Sequence, residues 1–184
     1  MNKEFLDRVK LTVQGYEGYK NYVYKDTRGF LTMGTGHRLT EEEKKIYKEG
    51  DRVDAKYLDG LFEKDFDSHL QKAKKIEGFD KLSDQQKEAM IDLTFNMGGG
   101  WVTKFPSLIK YAALVANETN PSLKSIYIKK MAAELKYKNP TKGDYRLTDY
   151  WGQVGYRAEE NFKRLLNIME DDNLYEVSNR QLGY

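Results

Sequence analysis

The segment that decides the fold lies at residues 17–37 and reads EGYKNYVYKDTRGFLTMGTGH. Its residues are rich in β-formers and are interrupted by a turn at residues 26–29 and by two later glycines, which is typical of a hairpin or small sheet. Before it, apolar residues recur at three- and four-residue steps, which predicts a helix with one buried face and a stop at Gly18. The segment is therefore a helix end followed by a hairpin.

The chain beyond this hairpin is predicted to be mostly helical. Apolar residues keep helical spacing for several turns between residues 54 and 76, which predicts the longest unbroken helix. Capping-box pairs indicate two helix starts, and a proline in the first turn indicates a third; they are Thr40 with Glu43, Ser83 with Gln86, and Pro106. Two more amphipathic stretches lie near residues 123–135 and 154–169, with a loop predicted at residues 139–143.

These elements predict an α+β fold of the lysozyme-like kind, as one domain over residues 1–184. A small lobe with the sheet, at about residues 15–55, is joined by a long helix at 56–76 to a larger helical lobe at 77–169. The N-terminal helix is expected to pack on the helical lobe. Residues 170–184 are expected to form a C-terminal tail.

The composition excludes several classes of protein. The chain has 184 residues, no cysteine and a formal net charge of +2. Disulfide scaffolds, iron–sulfur clusters, zinc ribbons and thiol nucleophiles all require cysteine. No apolar run reaches the ~18 residues of a membrane span. The N-terminal residues lack the features of a secretory signal, so we expect a soluble protein made without one.

Glu17, Asp26 and Thr32 are the candidate catalytic residues. A negative charge at a helix C-terminus is disfavoured by the helix dipole, which favours the neutral carboxyl that a general acid requires. Two carboxyls and a hydroxyl at one rim suit glycoside hydrolysis, in which one carboxyl protonates the leaving oxygen and the other assists the attacking water. By spacing alone, an exposed acid, a turn residue and a strand residue explain the same positions.

The same segment resembles the phage-type lysozymes of glycoside hydrolase family 24, the family of the T-even phage lysozymes. The family pattern is a Glu, an Asp nine positions later and a Thr six further, in a frame rich in glycine. Every element is present, at Glu17, Tyr24, Asp26, Gly29, Thr32, Gly34, Gly36 and His37. The resemblance implies that Glu17 is the general acid, Asp26 the second carboxylate and Thr32 the residue that positions water.

The resemblance is thinner further along the chain. It implies substrate-binding roles for Leu39, Phe95 and Asn96. It also implies that Arg157 supports the catalytic Glu17. The chain departs from the T-even pattern at residues 139–155, so substrate contacts of that region cannot be transferred.

The histidine of the pattern has a structural and a metal-binding interpretation. The resemblance implies an ion pair between His37 and Asp65 that ties the sheet to the long helix. Such a pair would raise the pKa of the histidine and lower that of the acid. Zinc-binding and calcium-binding spacings are absent, so we expect no metal and no cofactor.

Other features favour packing or solvation over chemistry. The glycines at 34 and 36 lack the third glycine of a dinucleotide fingerprint. Lys72, Lys74 and Lys75 are typical of a solvated helix face, so no nucleic-acid partner is expected. The two tryptophans, Trp101 and Trp151, could stack on sugars but are expected to pack in the core or at its rim.

The resulting hypothesis is a muramidase, a peptidoglycan hydrolase that cleaves the β-1,4 bond between N-acetylmuramic acid and N-acetylglucosamine. It would be made in the bacterial cytoplasm and would act as a monomer on the wall in the periplasm, delivered by a holin or as a virion component. No stable membrane insertion is expected. The alternatives are a peptidoglycan-binding module without catalysis and a lytic transglycosylase, which needs only the acid.

Overall fold

The chain forms two units, Met1–Leu70 and Gln71–Tyr184, and a computed structural model describes residues 1–168. The first unit holds a helix, a three-stranded antiparallel sheet, a short second helix and most of a long third one. These elements are α1 (Lys3–Glu17), β1 (Lys20–Lys25), β2 (Leu31–Gly34), β3 (His37–Arg38), α2 (Glu43–Ile46) and α3 (Ala55–Ala73). The α+β fold class predicted from the sequence is confirmed.

Helix α1 is capped by Asn2 at its N-terminus and by Gly18 at its C-terminus. The Asn2 side-chain oxygen accepts the Phe5 N–H at 2.9 Å, which satisfies one of the unpaired donors of the first turn. The helix stops at Gly18, whose φ of 71° lies in the region that favours glycine. Its last helical residue is Glu17, as the sequence predicted.

The sheet runs in the order β1-β2-β3, with both pairings antiparallel. Thr32 pairs with Tyr24 on one side and with Arg38 on the other, so these three side chains share one face of the sheet. At Gly34, with φ 59°, a Cβ would come within 3.1 Å of Leu58, so glycine lets α3 approach the sheet closely. The core beside the sheet consists of Val23, Met33, Leu39, Val53, Leu58 and Leu61.

The second unit is mainly helical and contains one more hairpin. Its elements are α4 (Asp84–Met97), α5 (Trp101–Lys104), α6 (Pro106–Asn117), α7 (Pro121–Lys136), β4 (Tyr137–Asn139), β5 (Asp144–Leu147), α8 (Asp149–Val154) and α9 (Tyr156–Leu166), with 3₁₀ turns at Phe79–Lys81 and Pro140–Lys142. Trp101 is fully buried and donates its Nε1–H to the Thr94 hydroxyl at 2.8 Å, as expected of a core tryptophan. Trp151 packs edge to face on Phe162.

Two elements of this unit were not predicted from the sequence. The predicted loop at residues 139–143 connects β4 to β5, and these two short strands, whose Tyr137 and Tyr145 rings meet with centroids 5.4 Å apart, were missed. The amphipathic stretch predicted near residues 154–169 contains α9, which begins at Tyr156 because Gly155 has a φ of 45° that no helix continues through, and the short helix α8 before it was also missed. The predicted tail lies outside the described residues, as does the end of that predicted stretch.

The predicted lobe boundaries stay a prediction, and the two units divide the chain within α3, after Leu70. Helix α3 ends at Ala73, a few residues before the predicted end. Helix α1 is grouped with the sheet in the first unit. Its predicted packing on the helical lobe stays a prediction. Within residues 1–168, no helix has both the length and the apolarity needed to cross a membrane.

A buried ion pair joins α4 to α9 in the second unit. The guanidinium of Arg157 donates to both carboxylate oxygens of Asp92, at 3.0 and 2.8 Å, and Asp92 is fully buried. Asn161 donates to the same carboxylate at 2.6 Å. A buried carboxylate is tolerated only when its hydrogen bonds are made, so this network fixes how the two helices pack.

Removing the charge of Asp92 should destabilise the protein strongly. We expect Asp92→Asn to lower the free energy of unfolding by about 3–5 kcal/mol, because the change weakens the compensation of a buried guanidinium. Urea unfolding followed by circular dichroism measures this. Glu159→Gln, which removes a half-exposed carboxylate paired with Lys163 on α9, is the control and should cost at most about 1 kcal/mol. Equal losses in the two variants would contradict the assignment.

Candidate active site

Glu17 is placed at the C-terminal end of α1 and is partly exposed. The last turn of this helix contains no basic residue, so no side chain of that turn offsets the dipole at the carboxylate. Glu17 Oε2 lies 3.6 Å from the point that a Cβ on Gly36 would occupy. Glycine at position 36, with φ 80°, suits the turn after β2, and the Glu17 carboxylate lies near this turn.

Asp26 is held in the turn between β1 and β2 by three donors. Its Oδ1 accepts the backbone N–H groups of Arg28 and Phe30, each at 2.9 Å, and its Oδ2 accepts Nη2 of Arg38 at 3.1 Å. The pKa of Asp26 lies below its ordinary value, mainly because of the hydrogen bond from the Phe30 N–H. The interactions with Arg28 and Arg38 lower this pKa further. The carboxylate is thus ionised and fixed in orientation.

Thr32 lies on β2 and is almost fully buried, with 3% of its surface exposed. Its hydroxyl donates to the carbonyl of Phe30 at 3.0 Å. A hydroxyl has one proton, so toward any further group this oxygen can act only as an acceptor. The hydroxyl can therefore accept a hydrogen bond from a water that reaches it.

Tyr24 connects the two carboxylates electrostatically. The pKa of the Tyr24 phenol is raised, mainly by burial, and the negative charges of Asp26 and Glu17 raise it further. The Tyr24 phenol therefore stays protonated at neutral pH, in the electric field of both candidate catalytic acids. Nζ of Lys20 lies 3.9 Å from the centroid of its ring, a close cation–π contact.

His37 on β3 is clamped between two carboxylates of the same unit. Its Nδ1 lies 2.7 Å from Asp65 Oδ2 on α3, and its Nε2 lies 3.0 Å from Glu43 Oε2 on α2. The hydrogen bond to Asp65 outweighs the opposing effect of burial and, with Glu43, raises the pKa of His37 to about 9. Burial opposes ionisation of Glu43, but hydrogen bonds from His37, Thr40 and Tyr57 outweigh it and lower the pKa of Glu43 to about 2.

Of the remaining predicted site residues, one lies in the core of the first unit and three lie in the second unit. The Leu39 side chain belongs to the core of the first unit and has 5% of its surface exposed. Phe95 and Asn96 are half-buried near the end of α4, and Arg157 is paired with Asp92, all in the second unit. The roles predicted for these four residues stay predictions. Among the described residues no cluster of three or more histidines or carboxylates is arranged to hold a metal ion.

Three residues that contact the candidate site residues were not predicted from the sequence. Arg38 reaches Asp26 across the sheet, and Glu43 and Tyr57 extend the histidine cluster, with the Tyr57 hydroxyl donating to Glu43 at 2.9 Å. The capping box at Thr40 was a usable signal for Glu43, since it fixed the position of that carboxylate. Arg38 gave no local signal, because only the strand register brings it opposite the turn.

A comparison with protein-family models decides the family of the chain. The model described as phage lysozyme matches residues 14–126, more than half of the chain, and the match includes Glu17, Asp26 and Thr32. The chain belongs to the phage lysozyme family. A phage lysozyme is a glycoside hydrolase that degrades peptidoglycan, so this phage lysozyme homologue is a peptidoglycan hydrolase. A comparison with curated proteins finds no match.

The histidine cluster of this phage lysozyme homologue should stabilise it in a defined pH range. The contribution of His37 is complete below its ordinary pKa of 6.5 and is lost as the pH rises through about 9. The contribution of Glu43 is complete above 4.5 and is lost as the pH falls toward about 2. We expect His37→Asn to cost about 1–2 kcal/mol near pH 6, because solvent still partly screens the imidazole.

Urea unfolding at several pH values measures this effect. The difference between parent and His37→Asn should shrink as the pH rises through 9. His69→Asn is the control, because Nδ1 of His69 lies 2.7 Å from the backbone carbonyl oxygen of Asp65, which is an uncharged partner. Parallel profiles of parent and His37→Asn up to about pH 10 would show that the cluster does not contribute in this way.

Proposed function

We propose that this protein is a muramidase, in which Glu17 is the general acid, Asp26 the second carboxylate and Thr32 the residue that positions water. The observation that carries the proposal is the state of Asp26, whose carboxylate is ionised and oriented by three donors. Both carboxyls lie within the segment that matches the phage lysozyme family. The cleaved bond is taken from the family resemblance.

The chemistry follows from the different surroundings of the two acids. Glu17, at the negative end of a helix, gives its proton to the glycosidic oxygen as the bond to the anomeric carbon breaks. Asp26 is held ionised and assists on the other side, by taking a proton from the attacking water or by stabilising the positive sugar ring. Thr32 accepts a hydrogen bond from that water, since its own proton is used by Phe30.

The substrate-binding and supporting residues belong to the same proposal. Leu39, Phe95 and Asn96 would contact the glycan, and Arg157 would support Glu17; all four rest on the resemblance. We also propose a role in phage lysis, with synthesis in the host cytoplasm and action on the wall in the periplasm. Delivery would use a holin or a virion.

The alternative function is a peptidoglycan-binding module that does not cleave the glycan. The ionised Asp26, which accepts three hydrogen bonds, favours catalysis over this alternative, because binding alone requires no carboxylate held in one orientation. Pull-down on purified cell walls without release of new reducing ends would favour the binding module.

Removal of either catalytic carboxyl should abolish lysis without unfolding the protein. We expect Glu17→Gln and Asp26→Asn each to lower the rate of wall solubilisation by about 10²–10⁴-fold, since each loses one proton-transfer or charge-stabilising group. Clearing of a cell-wall suspension measures the rate. Glu41→Gln and Asp59→Asn, at exposed positions of the same unit, are the matched controls and should retain the parent rate.

The products of digestion identify the bond and the reaction. A muramidase leaves N-acetylmuramic acid at the new reducing end, which mass spectrometry after borohydride reduction detects. New ends at N-acetylglucosamine would contradict the proposed bond. Anhydro-muramic ends would identify a transglycosylase, which should also keep activity in Asp26→Asn.

A further inference from the structure

Arg38 forms a closed ring of contacts with the candidate catalytic carboxylate. Its Nη2 donates to Asp26 Oδ2 at 3.1 Å, and its guanidinium carbon lies 4.3 Å from the centroid of the Phe30 ring. The backbone N–H of Phe30 in turn donates to Asp26 Oδ1 at 2.9 Å. The three residues therefore hold one another, with the aromatic ring limiting where the guanidinium can go.

The strand register explains why an arginine at this position reaches the turn. Arg38 is the partner of Thr32 on β2, and Thr32 is the partner of Tyr24 on β1. Asp26 lies two residues beyond Tyr24, and residues two apart along a strand point to the same face. The side chain of Arg38 thus crosses the width of the sheet on the face that holds the candidate acid.

The contacts leave one position open on the carboxylate. An ionised carboxylate offers about four lone-pair sites. Oδ1 accepts two backbone N–H groups and Oδ2 accepts Arg38, so the open site among these contacts is the second one on Oδ2. With 21% of its side chain exposed, Asp26 can present this oxygen to water or to a sugar ring.

We propose that Arg38 is a positioning residue for the reaction: it fixes the Asp26 carboxylate through Oδ2 so that the remaining lone pair of this oxygen faces the reacting atoms. Phe30 supports the guanidinium in this task. The inference rests on the proposed function of Asp26 and adds the residue that sets its orientation. Neither Arg38 nor Phe30 is part of the family pattern found in the sequence.

The charged and titratable groups around Asp26 determine how the loss of Arg38 should change the pKa of this carboxyl. Arg38 on β3 contacts the Asp26 carboxylate directly, and the charges of Asp26 and of Glu17 at the end of α1 both act on the Tyr24 phenol on β1. Loss of the guanidinium removes one of the causes that lower the pKa of Asp26, so the carboxylate protonates at higher pH. The acid limb of the activity profile should therefore move upward.

The test measures kcat and KM on soluble peptidoglycan oligosaccharides across the pH range for three variants. We expect Arg38→Met to shift the acid limb upward by about half to one pH unit and to lower kcat about tenfold, with a smaller change in KM. Arg38→Lys keeps the charge without the planar fork, so it should restore most of the acid limb but little of kcat. Phe30→Leu should lower kcat less than Arg38→Met does.

Lys25→Met is the matched control for charge. Lys25 precedes Asp26 in the sequence, but its Nζ pairs with Glu49 at 2.8 Å, so its removal should leave the profile unchanged. A carbon-13 NMR titration of the Asp26 carboxyl measures its pKa in each variant without depending on activity. Thermal unfolding of each variant separates a loss of stability, which lowers Tm alone, from a loss of positioning.

The outcomes distinguish this inference from the proposed function. If Asp26→Asn remains active, the proposed function fails. If Asp26→Asn is inactive and Arg38→Met keeps the acid limb and kcat of the parent, only the positioning role of Arg38 is overturned. If Arg38→Met does not fold, the decision passes to Arg38→Lys and Phe30→Leu, and parent-like kcat in both overturns the role.

Discussion

The charged histidine between two carboxylates is the interaction on which the first unit depends. Strand β3 has only two residues, His37 and Arg38, and so short a strand has little stability of its own. His37 anchors it to α2 and α3 through Glu43 and Asp65, and Arg38 anchors it to the turn at Asp26. Because β3 pairs with β2, the position of the sheet face that holds the candidate catalytic residues depends on these ion pairs.

The two candidate acids differ because their surroundings differ, although both lie on the same short segment. Asp26 accepts three hydrogen bonds, which favour its charged form. Glu17 lies at a helix end whose last turn has no basic residue. Burial and the negative charges of both acids raise the pKa of Tyr24, which stays protonated. Hydrolysis of a glycosidic bond requires one carboxyl that is ionised and another that can give a proton, and these different surroundings favour that difference.

What the sequence predicted well was local, and what it missed depends on pairing between distant segments. Gly18 and the Ser83 capping box act within one turn, so the ends of α1 and α4 could be read directly. The strands of the β4–β5 hairpin, Tyr137–Asn139 and Asp144–Leu147, are too short to show a two-residue period. Arg38 likewise meets Asp26 only through the register of two strand pairs.

The backbone N–H and carbonyl of Phe30 link Asp26 to Thr32. Its N–H donates to Asp26, and its carbonyl accepts both the Thr32 hydroxyl and the backbone N–H of Asp26. With its proton committed, Thr32 can only accept, and Asp26 as a carboxylate can only accept. A water bonded to both must give them its two protons, which leaves its lone pairs, the nucleophilic ones, facing away from the turn.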